Sequence, residues 1–407
     1  MNELIVRVDY LDKIIPFIDK QIIKVLSGIR RAGKSSLLLL LRRYLIESGV
    51  SENNIIYINK ESLEWEFIAG YSELYRFVKD RIRTISGPVY LFIDEIQNIS
   101  SWEKAAASIL ADGLADLTIT GSNASLLSSD LATLLSGRFI EIPVYPLNFS
   151  DFLLFRGKNK NDINPLQEFK LFLKYGGFPG IHALELKDEY VYQYLNGIFN
   201  TLLMKDVVTR FSVRDPAQLL NISRFIFDNC GNITSAKRIS DFLKSRKMSV
   251  TVDTVQKYIS YLEAAFLIHR SQRFDLKGLR LLELTQKYYM GDIGLRHGLI
   301  GYKEQDISGL LENVIYLELL KRGYRVYTGK WTDREIDFIA EKDNRRIYLQ
   351  VAYLISSKET ADREFGALEV IKDNHPKTVL SMDTVDIPGR KGIRRQRIID
   401  FLLESDE

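Results

Sequence analysis

Gly28-Ile29-Arg30-Arg31-Ala32-Gly33-Lys34-Ser35 has the spacing G-x-x-x-x-G-K-S, with Ser36 behind it. That spacing suits one kind of chemistry, the grip on a chain of phosphates. The glycines let successive backbone N–H groups curl round a phosphate, and a helix starting at the lysine adds the positive end of its dipole. In such a loop Lys34 neutralises the β- and γ-phosphates and the Ser35 hydroxyl coordinates Mg²⁺. A second constellation is Asp94-Glu95, which ends the apolar run Val89–Ile93. The first carboxylate can hold Mg²⁺, usually through water, and the second can polarise an attacking water as general base. Asn123 closes Thr118-Ile119-Thr120-Gly121-Ser122; it is either a water-orienting amide near a γ-phosphate or an ordinary turn asparagine. Arg138 precedes an apolar run; it is either a finger reaching a neighbouring subunit's nucleotide or a surface arginine.

These groups need strands and helices to hold them. Ile22–Leu26, Asn54–Asn59, Val89–Ile93, Leu117–Thr120 and Phe139–Val144 read as short buried strands, and Ser35–Leu45 as a leucine-rich helix. Strands separated by helical stretches predict βαβ units on a parallel sheet, an α/β fold for residues 1–150. Beyond Pro146 the spacing of Phe, Leu and Tyr is helical, which predicts a lid over 151–228 broken at Tyr175–Gly180. Residues 229–285 read as a separate small domain of short helices joined by a turn, with an apolar helix over Val255–Leu267. Residues 286–407 are mixed α and β, with a helix over Leu310–Arg322 and strands over Arg325–Tyr327, Glu335–Ala340 and Arg346–Tyr353.

At 407 residues the chain has room for two to three domains of about 150 residues each. Its 46% hydrophobic and 27% charged composition excludes a disordered or collagenous chain. The lone Cys230 excludes an internal disulfide and a cysteine-based zinc site. The longest leucine run, Leu37–Leu41, is far short of the ~18 apolar residues of a spanning helix. With no signal-like apolar stretch near Met1, a cytoplasmic protein away from the membrane is expected. A net charge of +3 does not by itself imply nucleic acid. His182, His269, His297 and His375 lie too far apart for a local metal motif and read as structural or surface residues, and Tyr288 and Tyr289 as core.

The four motifs of the first half together resemble the AAA+ class of P-loop ATPases. The whole chain is similar to a prokaryotic family of AAA-type ATPases that carry a C-terminal DUF4143-type domain. The resemblance rests on Arg7, Ser27–Ser35, Asp94-Glu95-Ile96-Gln97, Gly121-Ser122-Asn123, Ser136-Gly137-Arg138, Tyr175-Gly176-Gly177-Phe178-Pro179, Lys287–Leu295, Leu311-Glu312-Asn313 and Leu349-Gln350-Val351. It implies ATP or ADP and Mg²⁺ as ligands, residues 28–36 as the nucleotide loop and Ser35 with Asp94 as metal ligands. It also implies Asp94-Glu95 as the Walker B pair, Asn123 as the sensor, and Arg138 as a finger that makes a homo-oligomer. A second sensor arginine has no motif; Arg210 and Arg214 are the candidates.

The order of Glu312 on a helix, Asp337 on a strand and Gln350 on the next strand resembles a PD-(D/E)xK nuclease core. Such a core needs carboxylates for Mg²⁺ and a lysine. Here Q-x-A stands where E-x-K is usual, so a nuclease-like fold with impaired or absent cleavage is expected, with Lys330 or Lys342 as the candidates to replace the lysine in space. Residues 235–257 carry six basic residues against two acidic ones and resemble a winged helix-turn-helix. Lys237, Arg238, Thr254 and Lys257 would then face double-stranded DNA. The cluster Arg390, Lys391, Arg394, Arg395 and Arg397 reads as a solvated loop. The sequence thus predicts an ATP-hydrolysing protein acting on or regulated by DNA. The alternatives are a nucleotide-gated switch for a protein partner, and an ATP-dependent nuclease.

Overall fold

Runs rich in β-branched and aromatic residues make strands that can be buried on both faces, and β-strands 23–27 and 90–94 at the heart of the first sheet are of this kind. The computed structural model describes residues 4–127, 135, 137–158, 164–303, 306–384 and 388–404. The chain divides into two units, residues 1–144 with 264–266, and residues 145–263 with 267–407.

The first unit starts with helix α1 (Val8–Ile14) and continues through β1 (Ile23–Ser27), α2 (Lys34–Glu47), β2 (Ile55–Asn59) and α3 (Tyr71–Ile82). It ends with β3 (Tyr90–Asp94), α4 (Trp102–Ala111), β4 (Asp116–Gly121) and β5 (Phe139–Pro143). The sheet is wholly parallel in the order β2-β3-β4-β1-β5. Every residue of β1 and β3 is buried. Val25, Leu91, Ile93, Ile109, Leu117 and Ile119 lie in the core that α3 and α4 cover. The order places β4 between β1 and β3, with Ser27 level with Gly121. The strand order reverses around β1, and the C-terminal ends of strands at such a point are where α/β sheets bind ligands.

The second unit begins with helices α5 (Phe149–Phe155), α6 (Pro165–Tyr175) and α7 (Asp188–Thr201). A π-helical segment, Leu202–Thr209, continues α7, and α8 (Pro216–Asp228), α9 (Ala236–Ser245) and α10 (Val252–Ala264) follow. Next come β6 (Ile268–Asp275), β7 (Arg280–Met290), α11 (Ile293–Ile300) and α12 (Ile307–Lys321). The chain finishes with β8 (Arg325–Trp331), β9 (Arg334–Lys342), β10 (Arg345–Ala352), α13 (Lys358–Glu369), β11 (Lys377–Ser381), β12 (Arg394–Arg397) and α14 (Ile398–Leu403). Its seven-stranded mixed sheet runs β12-β11-β10-β9-β8-β6-β7. Among the described residues no helix is long and apolar enough to cross a membrane.

Three details differ from the sequence expectation. The helix expected over Val255–Leu267 stops at Ala264; the Leu267 amide donates to the Leu262 carbonyl, Phe266 adopts a φ of 56°, and Ile268 enters β6. Residues 268–290 form an antiparallel hairpin that joins the mixed sheet through β8. The basic cluster near residue 395 is an ion-paired edge rather than a free loop. Arg394–Arg397 pair with β11, Arg390 and Lys391 meet Glu369 at 2.7 and 2.8 Å, and Arg395 meets Asp383. Charge on an edge strand also discourages pairing with another chain.

Two motifs far apart in sequence meet here. Asp292 accepts the Gly177 amide at 2.7 Å through one oxygen and the Gly294 amide at 2.8 Å through the other. A Cβ on Gly176 would sit 2.2 Å from the same carboxylate. Burial pushes the Asp292 carboxyl up to about 7, against the pull of these amides. The contact fastens the break after α6 to the start of α11, so both motifs serve packing. His182, His269 and His297 are held down to about 4 by burial, as neutral residues of the interior, and Tyr288 and Tyr289 are buried.

Candidate functional site

β1 ends at Ser27, and the chain must turn tightly before α2 begins at Lys34. Gly28 turns with a φ of 147°, and a Cβ there would lie 2.2 Å from the Val144 carbonyl oxygen. No other residue fits, because the backbone after β5 is itself bonded to the loop, Val144 N–H to Ser27 O at 2.6 Å. Gly33 caps α2 in the left-handed region at φ 102°. Arg7, the buried leader residue, braces the loop from outside: it donates to the Ala32 carbonyl at 3.3 Å and lies 4.4 Å over the Tyr10 ring. The result is a preformed backbone cradle at a helix N-terminus, with Ser35 and Ser36 exposed on its first turn.

Lys34 is buried, and its ammonium donates to the carbonyls of Gly28 and Ile29 at 2.9 and 3.0 Å. It lies 3.9 Å from Glu95. Arg30, expected only as a position of the nucleotide loop, is buried too; it pairs with Glu61 and lies 3.7 Å from Glu95. Two cations therefore converge on the mouth of the loop.

The carboxylates come from β3. Asp94 accepts from Thr120 on β4 and, at 3.4 Å, from Tyr57 on β2. Glu95 sits just past the strand at φ 57° and ψ 53°, a left-handed conformation unusual for glutamate. Its amide donates to the Thr120 hydroxyl at 2.9 Å, so Thr120 ties down both acids. The Glu95 carboxylate accepts from Gln97 and, at 3.0 Å, from Ser122. Backbone held in a sparsely populated region by several such bonds marks a position that the surroundings over-determine. Tyr57, Glu61, Gln97, Thr120 and Ser122 complete this shell. Only alternation along β4 could have hinted at Thr120, since the partner strand was not readable.

Asn123 is buried just beyond β4, beside Ser122, and its carbonyl accepts the Leu126 amide at 3.2 Å. Arg138 is exposed at the entry to β5. Because Phe139 pairs with Ile23 at the start of β1, Arg138 lies at the opposite end of the strands from the loop. That is four strand residues from Ser27, roughly 13 Å. Ser136 lies outside the described residues. Arg210 follows the π-helical segment and lies 3.6 Å from the buried Asp206.

The residues present fit a magnesium ion by donor type: the Ser35 hydroxyl and the Asp94 carboxylate are hard oxygen donors. They fit a nucleotide by the cradle, the two cations and the helix start.

Glu312 lies on α12, Asp337 on β9 and Gln350 on β10. The tertiary structure brings them together, and it adds a group that sequence order did not suggest. The lysine beside them is Lys287 of β7, 2.8 Å from Glu312 and 3.4 Å from Asp337; the earlier candidates Lys330 and Lys342 are not its partners in that cluster. Burial and the neighbouring Glu312 push the Asp337 carboxyl above its ordinary range, and Lys287 and the Val351 amide pull against them.

Lys237, Arg238 and Lys257 are exposed, on α9 and α10. The turn between these helices passes through Lys247 at φ 62° and is fastened by Ser240, which donates to the Val250 carbonyl at 2.7 Å. Thr254 is half-buried, with its hydroxyl on that of Thr251 at 2.8 Å, where Thr251 caps α10. Lys257 lies 5.9 Å over the Tyr261 ring, which stacks on Phe211 at 4.1 Å.

Comparison with known proteins agrees with this arrangement. Residues 20–153 match a family described as an AAA domain. Residues 166–306 match a domain of unknown function, DUF8612, where a DUF4143-type domain was expected; that match ends before Glu312. An uncharacterized protein of Haemophilus influenzae is 37% identical over 98% of this chain and 99% of its own length. An uncharacterized protein of Methanocaldococcus jannaschii is 30% identical over 90% of this chain and 81% of its own. A solved Walker-type ATPase of Pyrococcus abyssi is similar in fold, with a TM-score of 0.50 and 17% identity over 72% of this chain and 95% of that one. The chain belongs to one family with the Haemophilus and Methanocaldococcus proteins, and its first unit is an AAA domain of the P-loop ATPase class.

Proposed function

We propose that this chain binds ATP with Mg²⁺ at residues 28–36, hydrolyses it, and couples the nucleotide state to double-stranded DNA. The single observation that carries the reading is the convergence of Lys34, Arg30 and Glu95 on one backbone cradle. Magnesium, when bound, would be held by Ser35 and Asp94 and would supply charge neutralisation at the phosphates. Lys34 binds the β- and γ-phosphates. Glu95 takes the proton of the attacking water, with Thr120 and Ser122 fixing its backbone and its carboxylate. Asn123 orients that water. On this reading residues 151–228 are the lid of a cytoplasmic protein, helices α9 and α10 are its DNA-contacting part, and the mixed sheet, which takes in the hairpin of residues 268–290, is its nuclease-like part.

Arg138 cannot serve the loop of its own subunit from the opposite end of the strands, so its role as a finger requires a homo-oligomer. Replacing it with alanine is expected to lower the turnover number at least about tenfold and leave ATP affinity unchanged. Steady-state rates set beside equilibrium binding check this, and a wild-type rate would remove the finger.

The DNA reading rests on the exposed Lys237, Arg238 and Lys257 on two helices joined by a tight turn. The test is the ATPase rate with and without duplex and single-stranded DNA at low and moderate salt. Stimulation by duplex that fades with salt is expected, because phosphate contacts release counterions. A flat response would favour the second reading, a nucleotide-gated switch for a protein partner. One observation supports that alternative: the Glu95 carboxylate is already engaged by Gln97, Ser122 and the two nearby cations, which slows any proton transfer.

A further inference from the structure

Lys287 leaves β7 and ends among three acids brought in by two other elements. Its ammonium lies 2.8 Å from Glu312 on α12, and 2.7 and 3.4 Å from Glu335 and Asp337 on β9. The lysine side chain is 2% exposed. A buried ammonium is tolerated only where opposite charge and hydrogen bonds compensate it, and here the compensation is threefold.

Other groups of the cluster hold the acids in place as well. Tyr289, two residues along the same face of β7, donates to Glu312 at 3.0 Å. The second oxygen of Asp337 accepts the Val351 amide at 2.8 Å. The side-chain carbonyl of Gln350, expected as a weak metal ligand, instead accepts the Asp337 amide at 3.2 Å. Magnesium in such a place would need oxygens at about 2.1 Å in octahedral array. Nζ sits where those oxygens converge, at hydrogen-bond distances. Among the described residues no group of three His, Cys, Asp or Glu side chains is arranged to hold a metal ion.

The structure assigns the cation of this cluster to Lys287: its ammonium takes the place of a divalent metal between Glu312, Glu335 and Asp337, and it closes the cluster to Mg²⁺ and Mn²⁺. The missing lysine of the nuclease-like pattern is therefore present in space, but as the counter-charge of the carboxylates. The inference is independent of the ATPase reading, since none of its residues belongs to the first unit.

The experiment is Mn²⁺ binding to the full-length chain without nucleotide, read by the loss of the free-ion electron paramagnetic resonance signal, with melting temperature measured alongside. Wild type is expected to take up no Mn²⁺ through Asp337 and to melt at the same temperature with and without it. Lys287→Met leaves the acids uncompensated; it is expected to melt lower, to bind one Mn²⁺ per chain, and to regain melting temperature as Mn²⁺ rises. Adding Asp337→Asn to that variant is expected to abolish the binding. Lys287→Gln, which is one atom shorter but keeps a donor and removes the charge, serves if the methionine variant does not fold. Wild-type binding that Asp337→Asn removes would overturn the assignment, and so would the failure of both Lys287 variants to gain Mn²⁺.

Discussion

Replacing Lys34 with alanine is expected to weaken ATP binding at least about 100-fold and to bring turnover to background. The ammonium is buried at the mouth of the loop, where its donors reach the Gly28 and Ile29 carbonyls at 2.9 and 3.0 Å. A phosphate oxygen arriving there exchanges these neutral acceptors for charged ones. Hydrogen bonds to charged groups contribute about 1.5–3 kcal/mol each, and about 1.4 kcal/mol is tenfold in affinity. Loss of two such bonds gives the 100-fold figure, before the loss of a full positive charge beside the phosphates. Titration with a fluorescent ATP analogue and a phosphate-release assay check it. Alanine suits a helix start, so melting temperature without nucleotide should move little. Unchanged affinity and rate in a folded variant would remove the phosphate-loop assignment.

The second large effect is expected of Glu95→Gln: ATP affinity within about threefold of wild type, and turnover lower by about 10²–10⁴, the usual worth of a positioned general base. Glutamine keeps the shape and one acceptor oxygen, so the bond from Ser122 survives. It removes the charge that faces Arg30 at 3.7 Å and Lys34 at 3.9 Å. Freed of that attraction, both cations are more available to phosphate, which is why affinity is not expected to fall. Single-turnover chemistry against equilibrium binding separates the two quantities. Full residual turnover would show that another group moves the proton, and equal losses of binding and rate would make Glu95 a structural anchor.

The two variants together divide the readings of function. A chain that loses binding with Lys34→Ala but has no measurable turnover for Glu95→Gln to remove would be a nucleotide-gated switch. The Gln97, Ser122 and Thr120 bonds to Glu95 are then part of why it holds ATP without cutting it. A chain that loses binding with the first variant and turnover with the second is an ATPase in the ordinary sense.

What the sequence determined by itself was local chemistry. The loop from Gly28 to Ser35, the acids at the end of an apolar strand and the four other strands of the first unit are short-range patterns, readable because each strand is a short run rich in β-branched and other apolar residues and glycine punctuates the turns. The helix carrying Glu312 and the strands carrying Asp337 and Gln350 were readable for the same reason. Tertiary structure decided which of these residues meet. Thr120 ties down Asp94 and Glu95 only because β4 inserts between β1 and β3, and strand order is set by long-range packing that no local spacing encodes. The hairpin of residues 268–290 was missed because its charged and polar residues alternate irregularly about a bulge near Ser271. Lys287 sits on that hairpin, and its acids lie 25, 48 and 50 residues further along the chain at Glu312, Glu335 and Asp337. In sequence it is one lysine among many. Packing of α12 against the sheet that holds both β7 and β9 makes it the centre of a charge cluster, because burial forces each charge to find its opposite.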